Sequence, residues 1–415
     1  MKKLRLFLVS LAVLTAACQP QQPANPSASN QSSSQANSGR IMTITSETND
    51  PKLPKILVPG LELKVFAGSG KEGYKDGPAL EAEFRSFGGV AQDDQGNLYV
   101  SDTLNYRLRR IDAKGNVSTF AGTGKEVWNG KVGAFNETEF YLVNHLFYQS
   151  PNILFVADSD RMYQFNLDNK HSDLFMIEAH YPERPVTFDT AQLPIVASVP
   201  DIFTFFQGEM YLGLRHEIWK LTQSNQRYRL QRYAGNSDIK LPDSTIDDFN
   251  MRFKDGPADD SIFNGIGGMD FDQFGNLYIG DILNHRIRKV AAETHEVSTL
   301  SGYGTPNPDR TMFKDFLGGF QDGDISKAQF KEPGSLVVFD KDSLIIQDSN
   351  KEGAIRLISQ RQVRTLIQNC SGELLKDKNK NLLYILNRKN FQILTLDLSI
   401  LDKLKPQILK QEPQP

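Results

Sequence analysis

The chain has 415 residues, a formal net charge of −3, 10% aromatic and 39% hydrophobic residues, and a mean hydropathy of −0.42. This composition supports one large all-β domain or two average domains and excludes a polytopic membrane protein. It also argues against a phosphate-neutralising surface over the whole molecule, because affinity for nucleic acid rests on an excess of cationic side chains.

In chain order, residues 1–17 combine a basic start, an apolar run from Leu6 to Leu14 and small residues ahead of Cys18. That is the pattern of a secretory leader and is too short for a membrane span. The stretch LTAAC resembles the lipobox of bacterial lipoproteins, with Thr15 where that motif usually has Leu. The resemblance implies lipidation of Cys18 and a membrane-anchored protein of the bacterial cell envelope. Gln19 after the cysteine implies outer-membrane delivery, facing periplasm or exterior. Residues 18–58 are expected to form a tether. Its portion 19–40 is dominated by Gln, Ser, Asn, Pro and Ala and has no large apolar residue. It is expected to be disordered and to reach on the order of 25 Å. With Cys18 acylated, Cys370 is left without a partner and reads as a small buried hydrophobe.

Two long copies of one unit follow, GGVAQDDQGNLYVSDTLNYRLRRIDAKGNVSTFAG at 88–122 and GGMDFDQFGNLYIGDILNHRIRKVAAETHEVSTLSG at 267–302. Each predicts four short strands joined by Asp/Gly/Asn turns, and weaker copies span 141–177, 201–235 and 330–366. The copy at 373–398 stops after three strands, whereas LELKVFAGSG at 61–70 reads as the end of a unit without a beginning. Such spacing predicts an all-β, six-bladed β-propeller over 59–402, with the N-terminal strand closing the last blade and 403–415 as a tail. A second element, KDGPALEAEF (75–84), KDGPADDSIF (254–263) and QDGDISKAQF (321–330), precedes three blades, and WNGKVGAFNETEF (128–140) is a divergent copy. Its Asp-Gly predicts a tight turn, and its final Phe a plug between blades.

These residues resemble the NHL-repeat family, whose units carry Gly-Asn-hydrophobic-Tyr-hydrophobic-x-Asp and then x-x-Asn-x-Arg-hydrophobic-Arg. Asp102, Asn105, Arg107 and Arg109 match in the first blade, and Asp281, Asn284, Arg286 and Arg288 in the fourth. The fifth blade, with Asp348, matches moderately. The resemblance implies a propeller serving as a binding platform; a few relatives are enzymes. Chemically, Asp102, Asn105, Arg107, Asp281, Asn284, Arg286 and Asp348 read as a structural latch repeated from blade to blade, in which the Asp and Asn cap the turn and an Arg pairs with the Asp. The basic rows 107–110 and 286–289 read as solvated strand faces.

No catalytic residues and no cofactor are expected. The six histidines (145, 171, 180, 216, 285 and 295) show no HxH or HxxxH pair, and no Asp-rich calcium loop or nucleophile elbow occurs. A calcium site assembled from carboxylates and Asn of separate blades stays open. The surplus residues lie between blades, at 123–139, 178–199, 236–262 and 303–329. Loops of that length are often functional. They are expected to form a rim on one face, with Trp128, Tyr181, Phe188, Tyr303, Met312, Phe313 and Phe316 as its apolar binding residues. The expected partners are the membrane, through the lipid, and a protein or glycan, with no nucleic acid. The alternative is a metal-dependent lactonase- or lyase-like enzyme with a site in the central channel.

Overall fold

Alternating apolar residues decide which strands pair and which faces meet. In the computed structural model, residues 42–410 are described except 129, 160, 179–186, 190–194, 197–201, 225–226, 237–252, 304, 307–315, 342 and 351. Six antiparallel sheets follow one another around a ring as the blades of a propeller. Blade 1 runs from its innermost strand Phe87–Gln92 through Leu98–Asp102 and Arg107–Ile111 to Asn116–Ala121. Blades 2 to 5 repeat that order from the innermost strands Val143–Gln149, Ile202–Phe206, Ile266–Phe271 and Pro333–Asp340. Blade 6 contains Leu374–Lys376, Leu382–Asn387 and Gln392–Asp397, and Glu62–Ala67 pairs antiparallel with the last of these.

The strands alternate, so each sheet buries both faces, and the apolar clusters lie in the seams. Leu146, Val156 and Phe165 meet Leu108 and Phe140 between blades 1 and 2, and equivalent clusters fill the other five seams. Innermost strands of neighbouring blades approach closely where they carry glycine. A Cβ on Gly268 would stand 2.3 Å from the carbonyl oxygen of Gly334, and one on Gly89 2.7 Å from the amide nitrogen of Leu146.

At the turn end of the innermost strands, every junction is tied by a different contact. Tyr148 and Ser150 of blade 2 donate to Asp94 of blade 1. Phe147 stacks on Phe205, and Phe206 on Phe271, across the next two junctions. Asp270 of blade 4 accepts the amide of Val338 at 2.7 Å, and Lys376 of blade 6 donates to the carbonyl of Phe339 at 2.8 Å. Gln92 of blade 1 donates to Asp377 of blade 6 at 2.8 Å, which completes the circle.

Asp270 also accepts the amide of Phe271. Burial nonetheless outweighs these bonds and Lys376, and pushes its carboxyl up to about 6. A carboxyl raised above its unfolded value takes up its proton more readily in the folded state. Its charge therefore costs stability above that range, and the cost is relieved as pH falls from about 6 towards 4. Wild type is expected to gain on Asp270→Asn between pH 7 and pH 4.5 by at most about 3 kcal/mol, since the side chain keeps some contact with solvent. Denaturant titrations at the two pH values measure the gain; identical pH dependence in both proteins contradicts it.

Two expected boundaries move. Within the predicted tether, Thr43–Thr45 pairs with Glu62–Ala67 outside blade 6, and Lys55–Ile56 pairs with the outer strand of blade 5. Ile44, Ile56 and Val58 are buried there, and Asn369 donates to the carbonyls of Pro51 and Leu53. Residues 42–58 carry Ile, Leu and Val at intervals suited to short strands. The predicted tail begins inside the helix Leu398–Ile408. Asp397 caps it by accepting the amide of Ser399, and Leu398, Leu401 and Ile408 enter the seam between blades 5 and 6.

Candidate functional site

The repeated polar residues assemble into one device at the outer end of three seams. In blade 4, Arg288 is fully buried and donates to Asp281 at 2.7 Å and to Asp255 at 2.6 Å. Its remaining N–H groups reach the carbonyls of Ile262 and Lys254. The guanidinium lies between the rings of Phe253 and Phe263, at 4.7 and 5.1 Å from their centres. Blade 1 repeats this with Arg109 between Asp102 and Asp76, flanked by Tyr74 and Phe84, and blade 5 with Arg356 between Asp348 and Asp322, flanked by Phe320 and Phe330. The second carboxylate oxygen of Asp76, Asp255 and Asp322 accepts the amide of Thr119, Thr299 and Thr365 in the outer strand. The two sequence elements are thus halves of one clamp that fixes each connector to the blade it precedes.

Asn105 and Asn284 donate to Asp102 and Asp281, as expected of turn-capping residues. The arginine that pairs with the aspartate is Arg109 or Arg288, two positions beyond Arg107 and Arg286. Those two make different contacts. Arg107 stacks over Tyr74 at 4.2 Å and donates to the carbonyls of Asn105 and Thr123, and Arg286 stacks over Phe253 at 4.0 Å. The basic rows are therefore not solvated faces; Arg109 and Arg288 have no exposed surface. Burial raises the carboxyls of Asp102, Asp281 and Asp348 above the ordinary range, that of Asp348 to about 6, against the pull of their arginines and backbone amides. His285 and Tyr106 share a left-handed backbone, φ 57 and 52, just before the strand that carries the arginines. His285 Nδ1 accepts the amide of Glu332 of blade 5.

Where the clamp is absent, the arginine is replaced along with at least one of its carboxylates. The registers set Tyr163, Trp219 and Leu394 at the arginine position of blades 2, 3 and 6. Blade 2 keeps Asp158, which accepts the amides of Tyr141 and Leu142 and is within 3.5 Å of the Tyr163 hydroxyl; its connector has Val132 in place of the Asp-Gly aspartate. Blades 3 and 6 carry Leu214 and Asn387 in place of the aspartate. None of these three blades keeps a full set of two carboxylates without its cation.

The channel mouth at the hairpin end holds a different group. His145, on the innermost strand of blade 2, places Nε2 at 2.9 Å from the Phe203 carbonyl of blade 3; a carbonyl can only accept, so Nε2 carries the proton. Its Nδ1 faces Glu373 Oε1 of blade 6 at 3.5 Å, and both side chains are largely buried, 12% and 15% exposed. Arg388 donates to the Phe87 and Gly88 carbonyls between them. No sequence signal paired His145 with Glu373, because 228 positions separate them and neither lies in a motif. Among the described residues, no three His, Cys, Asp or Glu side chains are placed to hold a metal ion. Cys370 is buried, and burial pushes its thiol up to about 12.

Of the expected rim, Trp128 and Tyr303 are about half exposed, and Trp128 packs edge-on against Tyr141 at 4.8 Å. The side chains of Phe188 and Phe316, and all of Cys18, Tyr181, Met312 and Phe313, lie outside the described residues. The described Asp-Gly elements of three connectors run into the seams, where Phe84, Phe263 and Phe330 are buried.

No protein-family profile matches the chain. It is 25% identical over 299 residues, 69% of its length, to Protein SUPPRESSOR OF QUENCHING 1, chloroplastic, of Arabidopsis thaliana, and spans about a quarter (26%) of that protein. Among solved structures it is similar to a gluconolactonase of Xanthomonas campestris (13% identity, TM-score 0.48, 86% of this chain and 97% of that one). It is also similar to the virginiamycin B lyase of Staphylococcus aureus (10%, 0.43, 75% and 94%) and to an auxiliary nutrient binding protein of Bacteroides thetaiotaomicron (14%, 0.39, 83% and 76%).

Proposed function

We propose that the chain is an NHL-type propeller held at the cell envelope by a lipid on Cys18, and that it binds a protein or glycan through its hairpin tips and connectors. The observation that carries the binding reading is the distribution of exposed apolar side chains. Among the described residues, Leu104 and Leu283 at hairpin tips and Trp128, Val132 and Tyr303 on connectors are 37–53% exposed. They make up five of the eight large apolar side chains that reach solvent, while Phe274 lies in a turn at the other end of its blade. Partly exposed aromatics supported by packed neighbours, as Trp128 is by Tyr141, are the side chains that dominate binding interfaces. The lipid anchor is supported by the LTAAC stretch and the polar residues after it.

Photo-crosslinkers placed at positions 128, 303 and 274 in cells test the reading. One partner is expected from the first two and not from the third, and the double variant Trp128→Ala/Tyr303→Ala is expected to lose about tenfold or more in affinity. Equal capture from position 274 contradicts it. Lactone- or ester-cleaving activity of the purified propeller, lost on changing His145 or Glu373, would replace it with the channel-enzyme reading.

A further inference from the structure

All the other inter-blade polar contacts described above join neighbours; the His145–Glu373 pair joins blades 2 and 6, which both flank blade 1. It does so beside the innermost strand of blade 1, at Gly88 and Gly89. A Cβ on Gly89 would meet the backbone of His145 at 2.8 Å, and one on Gly88 the Val143 carbonyl at 2.0 Å, so only glycine leaves room for blade 2 to come this close. The two ends are fixed independently. The imidazole is held by the Phe203 carbonyl and lies edge-on to the Phe203 ring at 4.8 Å. The Glu373 carbonyl accepts the amide of Leu386, and the next amide, of Leu374, donates to Ser335. What remains free is one proton position, Nδ1, and one flexible carboxylate.

From this geometry we propose that the pair is a proton-operated strut across the channel mouth. With Nε2–H committed to Phe203, a second proton on Nδ1 makes a charged donor aimed at the carboxylate, and the strut closes. When that proton leaves to solvent, two lone pairs face each other, and Glu373 turns away into water. Protonation of Nδ1 therefore closes the mouth and its loss opens it, and imidazole is the type of side chain whose charge ordinarily changes between pH 5 and 8. Of the strands packed against it, Phe87–Gln92 and Ile202–Phe206 contribute no titratable group, and Leu98–Asp102 contributes Tyr99 and Asp102, which are bound to Asp93 and Arg109. On its own sheet, Asp158 is held by the amides of Tyr141 and Leu142. On the blade 6 side, Arg388 is held by the Phe87 and Gly88 carbonyls, and Lys389 is spent on Asn369.

Hydrogen exchange of the full chain between pH 5.5 and 8, corrected for the intrinsic rate, reads the strut at residues 371–376. Protection in wild type is expected to fall about fivefold as pH rises, the scale of one partly screened ion pair. His145→Gln and Glu373→Gln, which each keep a polar group in place, are expected to show no such change. The same pH response in both variants as in wild type, or a flat response in wild type, overturns the proposal. If one variant does not fold, the other decides.

Discussion

Arg288→Met is expected to cost about 3–5 kcal/mol of stability, the range for breaking a buried ion pair by removing one partner. Methionine fills much of the slot between Phe253 and Phe263, so a void is not the main loss. Asp281 keeps Asn284 and the amide of Asn264 but loses its cation in a site with no exposed surface. The Ile262 and Lys254 carbonyls lose a donor as well. The further changes Asp281→Asn and Asp255→Asn are expected to restore about 2 kcal/mol, because the cost lies mainly in the buried Asp281 carboxylate left without its cation, Asp255 being partly exposed, and the three sites are coupled. Blade 6 already uses this solution, with Asn387 and Leu394 at the corresponding positions. Chemical denaturation of the wild type, the single and the triple variant measures it. A triple variant no more stable than Arg288→Met places the loss elsewhere than in the carboxylates.

A chain started at residue 59 is expected to lose about 5 kcal/mol or more relative to one started at residue 42. Ile44, Ile56 and Val58 are each nearly or fully buried, and each such side chain contributes about 1.5–3 kcal/mol. The loss also uncovers the outer edges of blades 5 and 6, and unpaired edges promote association. Thermal unfolding together with light scattering compares the two chains. Equal midpoints and equal solubility would show that residues 42–58 rest on the ring without supporting it.

How much of this was legible differs by feature. The propeller followed from period and turn residues, because Asp93 and Asp272 organise their turns within six residues, through the amides, the Asn side chain and the Tyr hydroxyl downstream. The clamp was half legible. Its pieces recur in the sequence, but Asp255 and Arg288 lie 33 positions apart. Alternation also puts Arg286 and Arg288 on the same side of the strand, so the pattern alone does not choose between them. The strand register, with its irregularity between Ile287 and Arg288, makes the choice. The channel pair was not legible, since neither residue recurs and their meeting depends on ring geometry and on Gly88 and Gly89.

The mixed parentage of blade 6 has a consequence for how the protein is made. Lys64 lies opposite Thr395, and 331 positions separate them. At ordinary rates of synthesis the older strand leaves the ribosome roughly 20–70 s before its partner exists. Through that interval Leu63, Val65 and Ala67 have no sheet to enter, while the intervening blades can assemble in turn. Glu62 and Lys64, the exposed positions of this strand, put charge on the waiting edge, a device that discourages premature pairing. The ring therefore closes only once Gln392–Asp397 has been made, and a product ended before Gln392 would carry assembled blades around an open seam.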